Sequence, residues 1–184
     1  MSIRVLADRG MKDQDPIHWY AARVKYRTEK KIKSFLEENQ IECYIPFKKV
    51  IVEQEGKRIE KEKPALPCFV FVRASYRKAL DIALACSYSL SYIYSLDTKK
   101  LQVVPDKQMQ DFMFLLDFPE KSFQIENTNL KKGDRVRVAH GEFAGIEGEL
   151  IRIKGHKRVV VRLEGLFSLV TTYIPGSYLE KIEN

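Results

Sequence analysis

In its last third the sequence alternates between apolar and charged residues, and this pattern constrains the fold more than any other feature. Val136 and Val138 alternate with Arg135 and Arg137, and similar runs follow. A period of two is typical of half-buried strands, and the segment lacks the three- to four-residue spacing of a helix. Five short strands in about 55 residues predict a small closed β-barrel over residues 130–184.

The preceding part of the chain mixes helical and strand patterns. Residues 27–40 carry apolar side chains on one helical face, and similar spacing predicts helices at 75–87 and after Pro105. Apolar or alternating runs between them, among them 17–26 and 64–74, predict strands. Helices separated by antiparallel strands predict an α+β sandwich.

Two further segments have no regular pattern. Residues 1–15 are polar and mixed in charge, and we expect a flexible leader there. Residues 118–129 lack a clear periodicity and contain proline, serine, asparagine and threonine, so they predict a linker. The chain is therefore expected to have an α+β domain at 16–117 and an all-β domain at 130–184.

The most apolar stretch, residues 64–74, predicts a strand with two apolar faces. Alternation places two sets of side chains on opposite faces: Leu66, Cys68, Val70 and Val72 on one, and Phe69 and Phe71 on the other. Such a strand is either central in a sheet or keeps one face open for a partner. The sequence leaves both alternatives open.

The two later helices carry specific predictions about burial. Ser75 stands where an N-cap is expected. The predicted buried stripe of that helix is Leu80, Ala83 and Leu84. Pro105 suits the first turn of the last helix. The apolar positions that follow it are Met109, Phe112, Met113 and Leu116.

Three glycines lie close together in "GEFAGIEGEL", at Gly141, Gly145 and Gly148. A phosphate-binding glycine loop follows a strand and opens a helix, whose N–H groups bind the anion. Here an alternating, strand-like run follows, and no Lys-Ser/Thr pair is present. The segment therefore predicts a tight turn, in which Gly145 and Gly148 supply backbone angles that other residues adopt with difficulty.

Composition narrows the class of protein. The chain has 184 residues and a formal net charge of +7, with six basic residues against one acidic residue between Arg23 and Lys33. This suggests an anionic partner. No apolar run reaches the roughly 18 residues of a membrane helix, and the three scattered cysteines form no CxxC. We therefore expect a cytoplasmic protein that does not enter membranes.

The sequence also argues against a catalytic function. His18, His140 and His156 are isolated in the sequence, and no nucleophile–base pairing or metal-ligand spacing is evident. We predict no catalytic residue, no metal site and no cofactor.

Several segments together resemble a known family. The run from "GDRVRV" to "GELIRI" resembles the KOW motif of SH3-like barrels, and "WYAARVKYRTEKKIKSFLEEN", "CYIPFKKV", "PALPCFVFVR" and "VPDKQMQDFM" are similar to the N-terminal (NGN) domain of NusG. The resemblance implies an NGN-like domain at 16–117 that binds RNA polymerase, followed by a KOW barrel at 130–184. In detail the chain looks most like specialised NusG paralogues of the UpxY type, which control capsular polysaccharide operons.

This resemblance implies a transcription elongation or antitermination factor, and it names two surfaces. The clamp helices of the largest polymerase subunit would contact Tyr20, Leu66, Phe69 and Phe71; the alternative is that Phe69 and Phe71 are ordinary core. Non-template or upstream DNA, or nascent RNA, would contact Arg23, Lys25, Arg27, Lys30 and Lys31; the alternative is a solvated helix face.

The chain departs from the family at two places. NusG usually has Pro-Gly-aromatic where this chain has Pro67-Cys68-Phe69, so the local turn is expected to differ. In the KOW partner loop, Glu164 replaces an aromatic residue, with Leu166 and Phe167 just beyond. This argues against Rho as a partner and leaves a ribosomal protein open. The alternative functions are a ribosome- or RNA-binding KOW protein, or a general NusG that recruits Rho or the ribosome.

Overall fold

A computed structural model describes residues 15–54, 56–119, 122–126, 133–153, 155–163 and 166–182. The chain divides into two compact units, one ending at Val103 and the other beginning at Val104. Both contain antiparallel sheets, and helices occur with them, so the predicted α+β class is confirmed. Apart from Asp15, the predicted leader lies outside the described residues.

The first unit is a sheet with two helices and a separate hairpin. Its helices are α1 (Glu29–Glu38) and α2 (Tyr76–Ala85). Its strands are β1 (His18–Val24), β2 (Cys43–Tyr44), β3 (Phe47–Gln54), β4 (Lys57–Pro64), β5 (Phe69–Ala74) and β6 (Leu90–Tyr92). The main sheet has the order β2–β5–β1–β6, and the short strand β7 (Val103–Val104) pairs with β1. Strand β5 therefore lies between two neighbours, which is one of the two alternatives that its apolar composition leaves open.

The core of this unit lies between the main sheet and its two helices. Ile32 and Leu36 of α1 are fully buried in one cluster with Val70 and Val72 of β5 and with Ala79 and Ile82 of α2. The Ser75 side chain accepts a hydrogen bond from the Lys78 N–H at 3.4 Å, which confirms the predicted N-cap.

The predicted buried stripe of α2 is wrong at one position. Leu84 is 84% exposed, because the buried side of the helix is centred on Ala79 and Ile82. Each residue turns an α-helix by about 100°, so Leu84, two residues beyond Ile82, points about 200° away from it.

Strands β3 and β4 form a two-stranded sheet of their own, which we call the ribbon. Its register runs from Phe47 opposite Pro64 to Gln54 opposite Lys57. Gly56 has φ +72° at the turn, where glycine avoids the cost of a left-handed conformation. The polar run "EQEGKR" predicts the hairpin tip. Apart from Ile59 and Pro64, β4 itself is polar and shows no apolar alternation.

The second unit contains one α-helix and six strands. The helix is α3 (Asp106–Leu116), and a short 3-10 helix covers Gly176–Tyr178. The strands are β8 (Phe123–Glu126), β9 (Arg135–Val138), β10 (Glu147–Ile153), β11 (His156–Leu163), β12 (Phe167–Thr171) and β13 (Leu179–Lys181). Five of them lie in the segment predicted to be all-β, and β8 lies inside the predicted linker.

These strands form one antiparallel sheet in the order β13–β9–β10–β11–β12–β8. Within the part of the chain that the structure describes, no ladder joins β13 to β8. The strands thus form an open sheet, whereas the sequence predicts a closed barrel. The difference arises at one edge, because β8 pairs with β12 and extends the sheet there.

Helix α3 buries most of the residues that its spacing predicts. Met109 and Phe112 are fully buried and Leu116 is 5% exposed. Leu115 is also fully buried, whereas the predicted Met113 is only half-buried.

Candidate functional site

The best-exposed of the residues predicted to contact polymerase is Phe69, the first residue of β5. It stands opposite Arg23 in the β1–β5 ladder, and the Arg23 guanidinium lies over its ring at 5.6 Å from the centroid. Phe69 is half-buried and Arg23 is exposed. The two side chains form an aromatic and cationic patch at the end of the sheet, which we call the Phe69 edge.

The three other residues predicted for this surface are in the interior. Tyr20 is 2% exposed, Leu66 is 5% exposed and Phe71 is fully buried. Tyr20 packs edge-on against Tyr92 at 6.1 Å between ring centroids, and burial raises the pKa of its hydroxyl. In the conformation described here, these three side chains stabilise the fold around Phe69.

The turn before Phe69 keeps a left-handed backbone although a side chain replaces the usual glycine. Cys68 has φ +65°. Its N–H donates to Glu29 Oε1 at 3.0 Å, and its carbonyl accepts from the Val24 N–H at 3.0 Å. Glu29 is 3% exposed, so a buried carboxylate from the first turn of α1 holds this turn. Cys68 thus adopts the left-handed conformation that glycine favours, and the expected difference from the family's turn stays a prediction.

The five residues predicted to bind nucleic acid do not share one surface. All five are exposed. Lys30 lies beside the ribbon, with its ammonium 2.8 Å from Glu62 Oε2 and 5.6 Å from the Phe47 ring centroid. Lys31 lies over the Tyr88 ring at 5.8 Å, and Arg27 lies over Tyr26 at 5.3 Å.

Of the remaining two, Arg23 belongs to the Phe69 edge, and Lys25 lies in the turn between β1 and α1. The basic cluster of the sequence is thus divided among the sheet end, this turn and two sides of α1. Arg23, Arg27, Lys30 and Lys31 each lie over an aromatic ring. These contacts agree with the alternative to a nucleic-acid site, a solvated surface.

The glycines of the KOW-like segment have two different roles. Gly141 and Gly145 have φ of +88° and +92°, as a tight turn requires. Gly148 instead lies within β10, and a Cβ there would be 2.4 Å from the Val160 carbonyl oxygen of β11. The assignment of Gly148 to the turn is therefore wrong. Glycine is needed there because the neighbouring strand approaches closely.

Only part of the predicted KOW partner loop, Leu166 and Phe167, lies among the described residues. Glu164 lies outside the described residues. Leu166 is half-buried, and Phe167 is 5% exposed, with its ring centroid 5.3 Å from that of Phe112 in α3. Phe167 is therefore a core residue of the second unit in this structure.

A buried polar contact that the sequence did not predict joins α3 to the turn before β10. Asp111 is 6% exposed; its Oδ1 accepts from Lys107 Nζ at 2.5 Å and its Oδ2 from the Glu147 N–H at 3.1 Å. Lys107 also donates to the Gly145 carbonyl at 2.9 Å. Burial raises the pKa of Asp111, although both hydrogen bonds act to lower it. A lone aspartate in an apolar helical stripe is the only sequence signal of this contact.

Cys43, Cys68 and Cys86 are free cysteines. Burial raises the pKa of Cys43 to about 11 and also raises the pKa of Cys86, which disfavours the nucleophilic thiolate form of both. Among the described residues, no group of three histidine, cysteine or acidic side chains is placed to hold a metal ion.

None of the helices within the described ranges is both long enough and apolar enough to cross a bilayer.

Comparison with known proteins identifies the family of this chain. The family described as "Transcription termination factor nusG" matches residues 17–113, more than half of the chain. The protein thus belongs to a class of transcription factors that regulate elongation. It is a member of the NusG family.

One solved structure illustrates the likeness. NusG of Thermotoga maritima, from a study titled "Domain interaction in Thermotoga maritima NusG", is 23% identical with a TM-score of 0.46. The match covers 91% of this chain and 98% of that one. No curated protein sequence gave a significant match.

Proposed function

We propose that this protein binds RNA polymerase through its first unit and acts as an elongation and antitermination factor. The main support is that the NusG family match spans residues 17–113, which include β1, α1, β5 and α2. A factor of this kind performs no covalent chemistry. It promotes processive elongation by binding one state of the polymerase more tightly than another.

The proposed contact is the Phe69 edge, which would receive the clamp helices of the largest polymerase subunit. Phe69 offers a partly exposed aromatic ring, and Arg23 places a positive charge above it. Aromatic and arginine side chains are enriched among the residues that dominate protein interfaces. The Cys68–Glu29 hydrogen bond fixes the turn immediately before this ring, so the edge is preorganised.

Other basic residues of the first unit would contact nucleic acid in the elongation complex. Lys25, Arg27 and Lys31 are exposed on the turn after β1 and on α1. Such side chains bind phosphates irrespective of sequence. The proposed ligand is non-template or upstream DNA, or nascent RNA.

We further propose that the factor is operon-specific, of the UpxY type, and does not recruit Rho. The support is the residue type at Glu164, where general NusG proteins carry an aromatic. A ribosomal protein remains the proposed alternative partner of the KOW domain. Full-length protein that retains Rho in a pull-down would contradict the second part of this proposal.

The test is a pull-down of purified RNA polymerase by the full-length protein. Phe69→Ser should abolish most of the binding, because it removes the ring at the centre of the proposed contact. Leu84→Ser is the matched control, since Leu84 is 84% exposed on α2 and its loss should leave binding unchanged. Fluorescence of Trp19, the single tryptophan, checks that both variants remain folded.

The same experiment separates the alternatives. Equal binding by wild type and Phe69→Ser would place the polymerase contact elsewhere. Absence of polymerase binding by folded wild type, together with binding to ribosomal RNA, would instead support a ribosome- or RNA-binding KOW protein.

A further inference from the structure

The two faces of the ribbon differ sharply in charge. In an antiparallel pair, directly opposed residues share a face and successive residues alternate between faces. The register therefore defines what we call the lysine face of the ribbon: Lys48 with Lys63, Val50 with Lys61, Val52 with Ile59, and Gln54 with Lys57. The opposite face consists of Phe47 with Pro64, Lys49 with Glu62, Ile51 with Glu60, and Glu53 with Arg58.

Side-chain contacts agree with this division. On the opposite face, Lys49 Nζ lies 2.7 Å from Glu60 Oε1. Glu62 on that face accepts from Lys30 of α1, and this hydrogen bond lowers the pKa of Glu62. On the lysine face, Lys61 donates to Gln54 Oε1 at 2.6 Å.

The lysine face therefore carries four cations and no carboxylate among its paired residues, whereas the opposite face has three glutamates against two cations. At the base of the ribbon the opposite face lies beside α1, because Lys30 and Lys33 both lie over the Phe47 ring. On the lysine face, Lys57, Lys61 and Lys63 are exposed and Lys48 is half-buried.

We propose that the lysine face binds the phosphate backbone of duplex DNA. A two-stranded ribbon has dimensions that the major groove of B-form DNA accommodates. Eight residues per strand give a ribbon about 25 Å long, enough for its lysines to reach several phosphates along the groove. This surface is distinct from the Phe69 edge, and its binding to DNA does not require polymerase.

Duplex DNA fits this face better than the other nucleic acids. Single strands are bound mainly by stacking of bases on aromatic side chains. The described residues of the lysine face include none, because Phe47 is on the opposite face and the central positions are Val50, Val52 and Ile59. The major groove of duplex RNA is too deep and narrow to admit a ribbon.

The test compares two variants that each remove two positive charges from the same ribbon. Lys57→Gln/Lys63→Gln changes the lysine face near its tip and its base. Lys49→Gln/Arg58→Gln makes the equivalent change on the opposite face. Binding of full-length protein to a 20-base-pair DNA duplex is followed by fluorescence anisotropy over a range of salt concentrations.

We expect the lysine-face variant to weaken duplex binding about tenfold and to reduce the slope of log affinity against log salt by about 2. The opposite-face variant should retain nearly the wild-type affinity and slope. Equal losses in both variants would overturn the proposal, because they would reflect net charge alone. Preference of the wild type for single-stranded DNA or duplex RNA of the same length would overturn it as well.

A polymerase pull-down without nucleic acid separates this proposal from the previous one. The lysine-face variant should bind polymerase like the wild type. If this variant loses polymerase binding, the lysine face contacts the enzyme and the DNA proposal is wrong. That result would not bear on the Phe69 edge, which Phe69→Ser tests separately.

Discussion

At the scale of single residues, Cys68 shows how a strained conformation is retained for its hydrogen bonds. A left-handed backbone costs an L-residue about 1–2 kcal/mol. The Cys68 N–H and carbonyl each have a partner at 3.0 Å, one of them the buried carboxylate of Glu29. The strain is therefore offset locally, and Phe69 is held at the end of β5 where its ring is partly exposed.

Replacing Cys68 with glycine should stabilise the first unit. We expect Cys68→Gly to raise the free energy of unfolding by about 0.5–1 kcal/mol, since relief of strain exceeds the extra freedom of glycine in the unfolded chain. Urea unfolding followed by Trp19 fluorescence measures this directly. Cys43→Gly is the control. Because Cys43 lies in the extended strand β2, its replacement by glycine relieves no strain and should destabilise the same unit. A destabilising Cys68→Gly would mean that its thiol packing outweighs the strain.

The role of a residue was predictable from the sequence only where that role depends on its neighbours in the chain. Gly145 needs its backbone angle, which a turn sequence indicates. Gly148 needs room for the Val160 carbonyl, which a strand far along the chain supplies. In the same way, Phe69 and Phe71 look equivalent in the sequence, but only the folded sheet shows that Phe71 is fully buried.

At the scale of elements, α3 combines an apolar stripe with one buried charge. Asp111 accepts hydrogen bonds from Lys107 and from the Glu147 N–H. Burial nevertheless raises its pKa above the ordinary value of 3.8. The folded protein therefore holds this proton more tightly than the unfolded chain does, so the contribution of Asp111 to stability decreases as the pH rises through the folded pKa.

Asp111→Asn should remove this pH dependence. The free energy of unfolding of the variant, relative to wild type, is expected to increase from pH 3.8 towards neutrality, because only the wild type must bury a carboxylate. Calorimetric unfolding at several pH values measures the difference. Asp106→Asn removes the same charge from an exposed position of α3 and should not reproduce the trend. A difference that decreases with pH would mean that the hydrogen bonds dominate over burial.

Elements with a strong apolar period were predictable, and those without one were not. Helices α1 and α3 follow from their spacing, and so do the five strands beyond residue 132. Strand β4 follows only from the hairpin tip that precedes it, because apart from Ile59 and Pro64 its side chains are polar and it shows no apolar period of its own. Strand β8 was missed because four residues are too few to show a period.

At the scale of the whole molecule, the compact units divide between Val103 and Val104, so α3 belongs to the second unit. Phe112 contacts Phe167, and Asp111 contacts the backbone of Glu147. The family match, by contrast, extends to residue 113 and includes most of α3. The predicted domain boundary at residue 117 remains a prediction.

Fragments that begin on either side of α3 test this boundary. We expect residues 104–184 to be more stable to urea than residues 118–184 by at least about 2 kcal/mol, because the shorter fragment lacks the partners of Phe167 and Glu147. Far-UV circular dichroism follows the unfolding. Phe112→Ala in the longer fragment should remove much of the difference. Equal stability of the two fragments would assign α3 to the first domain.

The outer edges of the ribbon affect how copies of the protein meet. Within the described residues, β3 and β4 pair only with each other, so each strand has an outer edge of N–H and C=O groups. Such edges can add a strand from another chain, and charged side chains along them oppose this addition. The alternating lysines and glutamates would therefore keep copies of the protein apart at high concentration, and apolar replacements on the ribbon would favour aggregation.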